Sequence, residues 1–218
     1  RQAAAERAEL LTPISKAWCT DVGVEMASLG IQVHGGYGYI EETGAAQHLR
    51  DARISPIYEG TNGIQAIDLV GRKLSLRAGG VMGDLLDEIA AIDGALEEAG
   101  DDFASIRSNL ADGLAAFREA TAWIIANGVD DPNEALAAAT PYLKMFGQVV
   151  GGWLLARLAL GARRRLAEGV GDTAHLEGKI VAARFYAEQL LPVARAQLGA
   201  VTAGAGDLFA ISADGFSA

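Results

Sequence analysis

A chain of 218 residues, half of them hydrophobic and only 6% aromatic, is long enough to bury a substantial core as one large or two small domains. Its formal net charge of -10 and pI near 4.7 argue against a partner bound through a phosphate backbone, because nucleic-acid binders concentrate lysine and arginine on one face. The lone cysteine, Cys19, excludes an internal disulfide, gives no support to a cysteine-type metal centre, and suits a reducing cytoplasm.

Alanine and leucine dominate and alternating β-branched runs are scarce, so the chain reads as all-α. It opens on Arg1 inside an Ala/Glu/Arg pattern that is already helical, as expected of a fragment or a processed chain, and no signal peptide is visible. The first long helix is expected from about Thr12 to Val33, with Pro13 tolerated in its first turn and Trp18, Val22, Met26, Leu29 and Val33 at helical spacing. Gly35 and Gly36 stop it, and a loop through Tyr37, Gly38 and Tyr39 leads to Thr43, the expected cap of a short helix ending near Arg53. Ser55-Pro56 ends that helix, since the residue before a proline avoids the helical region. Another helix, capped by Thr61 or Asn62, carries Ile64, Ile67, Val70 and Leu74 on one face and runs to about Arg77. Gly79-Gly80 reads as a hinge and a domain boundary, dividing the chain into 1–78 and 79–218.

Four helical patterns follow. The first carries Leu85, Leu86, Ile89, Ile92 and Leu96; the second, after Asp101 and Asp102 as caps, carries Ile106, Leu110, Leu114, Phe117 and Ile124. The third starts at Asp131-Pro132-Asn133-Glu134, a capping pattern with proline at the first helical position, and runs to about Glu168 with a kink at Pro141 and close helix contact at Gly151-Gly152. Its most apolar run, Met145 to Gly161, contains Gln148 and Arg157 and falls short of the ~20 apolar residues of a membrane span, so it reads as a buried helix. The fourth starts near Asp172, carries Leu176, Ile180, Ala183, Ala187, Leu190 and Leu198, and kinks at Pro192 before a small-residue tail from Ala203 to Ala218.

The candidate chemistry centres on LRDARISPIYEGTNGIQ, Leu49 to Gln65, where Glu59 stands between the apolar pair Ile57-Tyr58 and a helix start. Desolvation by that pair disfavours its carboxylate and the positive helix end favours it, which is the setting of a tunable general base. The competing reading is an acid placed before a helix for electrostatic reasons alone. The glycines after Val33 either stop a helix or let backbone N–H groups approach a phosphate. His34 reads as a cap or packing residue, and neither His48 nor His175 has a partner at ligand spacing, so no metal is assigned. Arg50, Asp51 and Arg53 read as a solvated or ion-paired face, and Arg163 to Arg165 as cations complementing a helix end.

QVHGGYGYIEETG, Gln32 to Gly44, followed by the Leu49 to Gln65 stretch, resembles the C-terminal helical domain of the acyl-CoA dehydrogenases over about residues 10 to 78. The helices beyond are similar, more loosely, to the extra C-terminal helical domain of a long subgroup that includes methylmercaptopropionyl-CoA dehydrogenases. The resemblance implies two successive helical bundles and α,β-dehydrogenation of an acyl-CoA thioester to a trans-2-enoyl-CoA. It makes Glu59 the catalytic base, and Gln32, Gly35, Gly36 and Thr61 contacts to FAD, the first three to its adenosine-diphosphate part. It also makes Tyr58 a residue of the acyl pocket. Gly63 departs from the polar residue many members carry there, which removes one flavin contact. A homo-oligomer is implied, with FAD held mainly by a neighbouring subunit and electrons passed to an electron-transfer flavoprotein or similar acceptor. The family's other two domains are not in these residues, so the 218 residues alone are expected to hold FAD weakly and to be inactive. A helical oligomerisation module and a flavoprotein of the alkylation-response type are the competing functions.

Overall fold

The computed structural model describes residues 1–216, and among them every regular element is helical. Helix α1 (Gln2–Pro13) passes through a wide π turn, Ile14–Trp18, straight into α2 (Cys19–His34). The helix therefore begins a full ten residues before the expected Thr12, and Pro13 lies inside it rather than in its first turn. A proline has no N–H for the carbonyl four residues back; the wide turn that follows, in which the Cys19 N–H reaches the Ile14 carbonyl, absorbs the mismatch. Of the predicted stripe only Trp18 packs against the core, while Met26, Leu29 and Val33 are exposed.

The glycine segment forms the single-turn helix α3 (Gly36–Tyr39), followed by a 3-10 turn, Glu41–Thr43, and α4 (Ala45–Arg53). Thr43 does not cap α4: its hydroxyl donates back to the Tyr37 and Ile40 carbonyls, and Gly44 takes the cap position in a left-handed conformation. Helix α5 (Asn62–Asp68) continues into a second π turn, Leu69–Lys73, and ends there rather than near Arg77. Its buried face is Ala66, Leu69, Val70, Lys73 and Leu74, leaving Ile64 and Ile67 exposed.

After a left-handed turn through Arg77, Ala78 and Gly79 come α6 (Gly80–Ala90) and α7 (Asp93–Glu98), one predicted helix broken at Ala91-Ile92. Helix α8 (Ala104–Gly128) follows a 3-10 turn, and Asp102 pairs with Arg163 at 2.7 Å instead of capping it. Helix α9 (Pro132–Ala167) starts where Asp131 accepts from the Asn133 N–H and runs on through Pro141; α10 (Thr173–Gln189) starts where Asp172 accepts from the His175 N–H. Pro192 does not kink α10 but opens a separate short helix, α11 (Pro192–Ala196), followed by α12 (Leu198–Val201); Leu191 rather than Leu190 is buried. The last two residues of the predicted tail lie outside the described residues.

Helix α9 is the axis of the molecule. By length and composition it is apolar enough to cross a membrane, yet Met145, Phe146, Val149, Val150, Trp153 and Ala156 are all buried against neighbouring helices. Phe117 of α8 stacks on Tyr142 and Phe146 at 5.1 and 5.0 Å, and Thr121 hydrogen-bonds the Tyr142 hydroxyl at 2.8 Å. Trp18 lies on Gly147, where a Cβ would come within 2.2 Å of its ring, and Tyr186 closes over Gly151 while donating to the Gln148 carbonyl at 2.9 Å. The buried side chains form one continuous cluster from Leu10 and Leu69 through Leu85 and Ile106 to Val201.

Candidate active site

The segment from Ile54 to Thr61 is a turn tied at several points. The Ile57 and Tyr58 N–H groups donate to the Ile54 carbonyl at 3.0 and 3.2 Å, and the Asn62 N–H donates to the Pro56 carbonyl at 3.0 Å, so the chain doubles back around Glu59. Glu59 adopts φ +54 and Gly60 φ +83. A glutamate in the left-handed region is uncommon, and such strain persists only where the surroundings over-determine it. Its side chain is exposed. Ile57 and Tyr58 are 49% and 50% exposed, so within this chain they do not enclose Glu59 in the dry surroundings expected of them.

Thr61 is the cap of α5, its hydroxyl oxygen accepting the Ile64 N–H at 3.3 Å, which leaves its own O–H free to donate outward. Asn62, the other predicted cap, has a different task. Its side-chain amide donates to the Ala17 carbonyl at 3.0 Å, to the Thr20 hydroxyl at 3.0 Å and to the Asp21 carboxylate at 2.7 Å, while Lys16 donates to its oxygen at 2.7 Å. This cluster was not legible in the sequence. Lys16, Thr20 and Asp21 are polar residues on one side of a long helix, and nothing local says that an asparagine 41 to 46 residues away seeks them.

The glycine turn sits at the other end of α2. Gln32 is exposed in the last helical turn and its carbonyl accepts the Gly35 N–H at 3.0 Å; Gly35, at φ +62 and ψ -146, has a backbone only glycine adopts readily. A Cβ at Gly35 or Gly36 would meet nothing within 4 Å, so both backbones are open to approach, whereas Gly38 has no room because a Cβ there would lie 2.3 Å from the Ile31 carbonyl. His34 is occupied by the Gly30 carbonyl at 2.8 Å, and Arg50 pairs with Glu41 at 2.6 Å. The two motifs are not brought together: at 1.5 Å per residue, roughly 20 Å of helix axis separates the Asn62 anchor on Asp21 from Gly35. An apolar cleft of about 440 Å³, lined by Leu74, Ala78, Ile124 and Val129 among others, contains none of the predicted site residues.

Comparison with known proteins accounts for nearly the whole chain. Residues 1–75 match the model for the acyl-CoA dehydrogenase C-terminal domain, and residues 85–212 the model described as acetyl-CoA dehydrogenase C-terminal like. A 3-methylmercaptopropionyl-CoA dehydrogenase of Ruegeria pomeroyi is 44% identical over 202 residues, 93% of this chain and 34% of that protein. A butyryl-CoA dehydrogenase of Syntrophomonas wolfei is 31% identical over 88% of this chain and 32% of its own length. The caffeyl-CoA reductase-Etf complex subunit CarC of Acetobacterium woodii is 36% identical over 28% of this chain and 16% of its own. The chain thus spans about a third of the length of the first two relatives. With an all-helical fold, the YEGT turn at Tyr58 to Thr61 and two matched domains in series, the chain belongs to the acyl-CoA dehydrogenase family, whose C-terminal helical domains it comprises.

Proposed function

We propose that this chain supplies the general base, Glu59, to an FAD-dependent dehydrogenase that converts an acyl-CoA thioester to its trans-2-enoyl-CoA. The observation that carries the reading is the strained left-handed backbone at Glu59, in a turn tied at both ends, with its side chain exposed and its carboxylate unbonded among the described residues. Strain of this kind collects at functional sites, and an acid wanted only for helix electrostatics has no need of it.

The residues present fit the cofactor. The open Gly35 and Gly36 backbones admit a phosphate-bearing group without a side chain in the way, exposed Gln32 offers an amide beside them, and the Thr61 O–H is free to donate. FAD, when bound, supplies the acceptor for the hydride leaving the second carbon from the thioester. Glu59 removes the proton from the first, a weakly acidic position, so the carboxylate must be held at hydrogen-bonding distance and shielded from water when substrate is seated. Tyr58, exposed beside it, is assigned to the acyl pocket.

Because Gly35 and Glu59 lie at opposite ends of α2, the reading assigns the glycine turn to the flavin of a neighbouring copy, which makes a homo-oligomer part of the proposal. Exposed Met26, Leu29, Val33, Tyr37 and Tyr39 on the same helix and turn support it. Division into 1–78 and 79–218 is kept on the same footing, supported by family matches that end at 75 and resume at 85. Electron-transfer flavoprotein as acceptor draws support from the Etf-complex relative, and a cytoplasmic setting from the single exposed Cys19. In the intact flavin-loaded enzyme, Glu59→Gln is expected to lower kcat about 10²- to 10⁴-fold, the usual range for loss of a general base. Wild-type turnover across acyl-CoA substrates would sink the assignment.

A further inference from the structure

The turn that carries Glu59 has almost no apolar support within this chain: Ile54, Ile57 and Tyr58 are all about half exposed. What fastens it is polar, and it converges on one residue. Asn62 closes the turn with its backbone, donating to Pro56, and grips the first long helix with its side chain through Ala17, Thr20, Asp21 and Lys16. Both amide hydrogens and the amide oxygen are used, so the side chain is satisfied in one orientation only. Thr61 already caps α5, which leaves the Asn62 side chain free of that duty. The acceptor Ala17 belongs to the π turn Ile14–Trp18, where a widened ladder displaces carbonyls from their usual pairing, a feature that recurs at functional sites.

We propose that Asn62 is a positioning residue for the base: it locks the turn from Pro56 to Asn62 onto the π turn of the first helix and so fixes the direction in which Glu59 presents its carboxylate. The inference rests on the reading of Glu59 as the base. Its physical content is that a left-handed glutamate, three residues from the clamp and without apolar cover, relaxes to the commoner backbone conformations once the clamp is cut. A carboxylate displaced by about 1 Å loses on the order of 10²-fold in rate while the substrate still binds.

In the intact flavin-loaded enzyme, Asn62→Ala is expected to lower kcat about 10- to 100-fold. The KM for acyl-CoA should change by less than about twofold, the signature of an interaction that matters in the transition state. Amide hydrogen exchange across Tyr58 to Asn62 should accelerate in the same variant. Lys16→Met, which keeps the aliphatic stem and removes one donation, is expected to give a smaller loss on both readouts, and it carries the test where Asn62→Ala does not fold. Thr121→Ala, cutting the buried bond from α8 to Tyr142 of α9, controls for loss of stability and should leave both readouts at wild type. A wild-type kcat in Asn62→Ala, or a lowered kcat with the turn's exchange unchanged, overturns the positioning role. Glu59→Gln keeps the two claims apart: if it is inactive while Asn62→Ala is fully active, only the positioning role falls. If Glu59→Gln is fully active, the base assignment falls, and hydrogen exchange still reports whether the clamp holds.

Discussion

Glu59 stands where glycine would be easier. A left-handed conformation costs a side-chain-bearing residue about 1–2 kcal/mol, partly offset at glycine by the larger entropy it loses on folding. Glu59→Gly is therefore expected to leave stability unchanged or to raise it by up to about 1 kcal/mol, and Glu59→Val to lower it by about 1–2 kcal/mol. Urea unfolding of the three proteins measures this directly. A clear loss of stability in Glu59→Gly would mean that the carboxylate is a structural group, which is the electrostatic reading its place before α5 first allowed. At this scale the sequence announced the chemistry but not the geometry. Glutamate before a capped helix was visible, whereas its positive φ depends on the Pro56 to Asn62 closure, and that closure depends on partners in another helix.

The elements follow apolar periodicity closely wherever one face is buried, as in α8 and α10, and depart from it at the prolines. Pro13 and Pro192 have opposite fates: the first is carried inside a helix by the π turn after it, and the second starts a new helix. No local rule separates these outcomes, since each is set by what the helix packs on. The second π turn shows another departure, for it buries Lys73 to 5% exposure. Its ammonium meets Glu9 of α1 at 2.8 Å and Asp68 at 3.7 Å, which ties α1 to the end of α5. The Lys73 hydrogen bond holds the Glu9 carboxyl below its ordinary range, and the hydrogen bond from Arg72, with Lys73 nearby, does the same for Asp68. Groups with lowered folded pKa stabilise fully above their unfolded values, near about pH 4, and that contribution disappears as pH falls through the lowered ones. Accordingly, the urea midpoint of the wild type should fall on going from pH 7 to pH values below about 4 by more than that of Lys73→Met. Equal acid sensitivity in the two would show that the cluster contributes nothing.

At the scale of the whole molecule the amino-terminal helices and the later bundle share one core, and the joint is Trp18 laid on the bare backbone of Gly147. A methyl group at Gly147 would overlap the indole, so Gly147→Ala is expected to cost about 1–3 kcal/mol, the usual penalty of an overpacked core, read as a lowered thermal midpoint with two-state unfolding retained. Unchanged stability would mean that the two regions are not packed as described. The helical class and the two motifs were legible because periodicity and a pair of specific turns carry them. The incompleteness of the site was expected from the resemblance; the separation of its two motifs was not, because only the packing of the Asn62 turn on Thr20 and Asp21 sets Glu59 at the opposite end of α2 from Gly35. Met26, Leu29 and Val33 leave an exposed apolar strip along α2, the kind of surface that marks an interaction site. The central claim, that Glu59 takes the proton next to the thioester carbonyl, is tested most directly by solvent deuterium exchange at that carbon, followed by mass spectrometry with the intact enzyme and an acyl-CoA. Wild type and Thr121→Ala should catalyse the exchange and Glu59→Gln should not; exchange by Glu59→Gln at the wild-type rate would contradict the account.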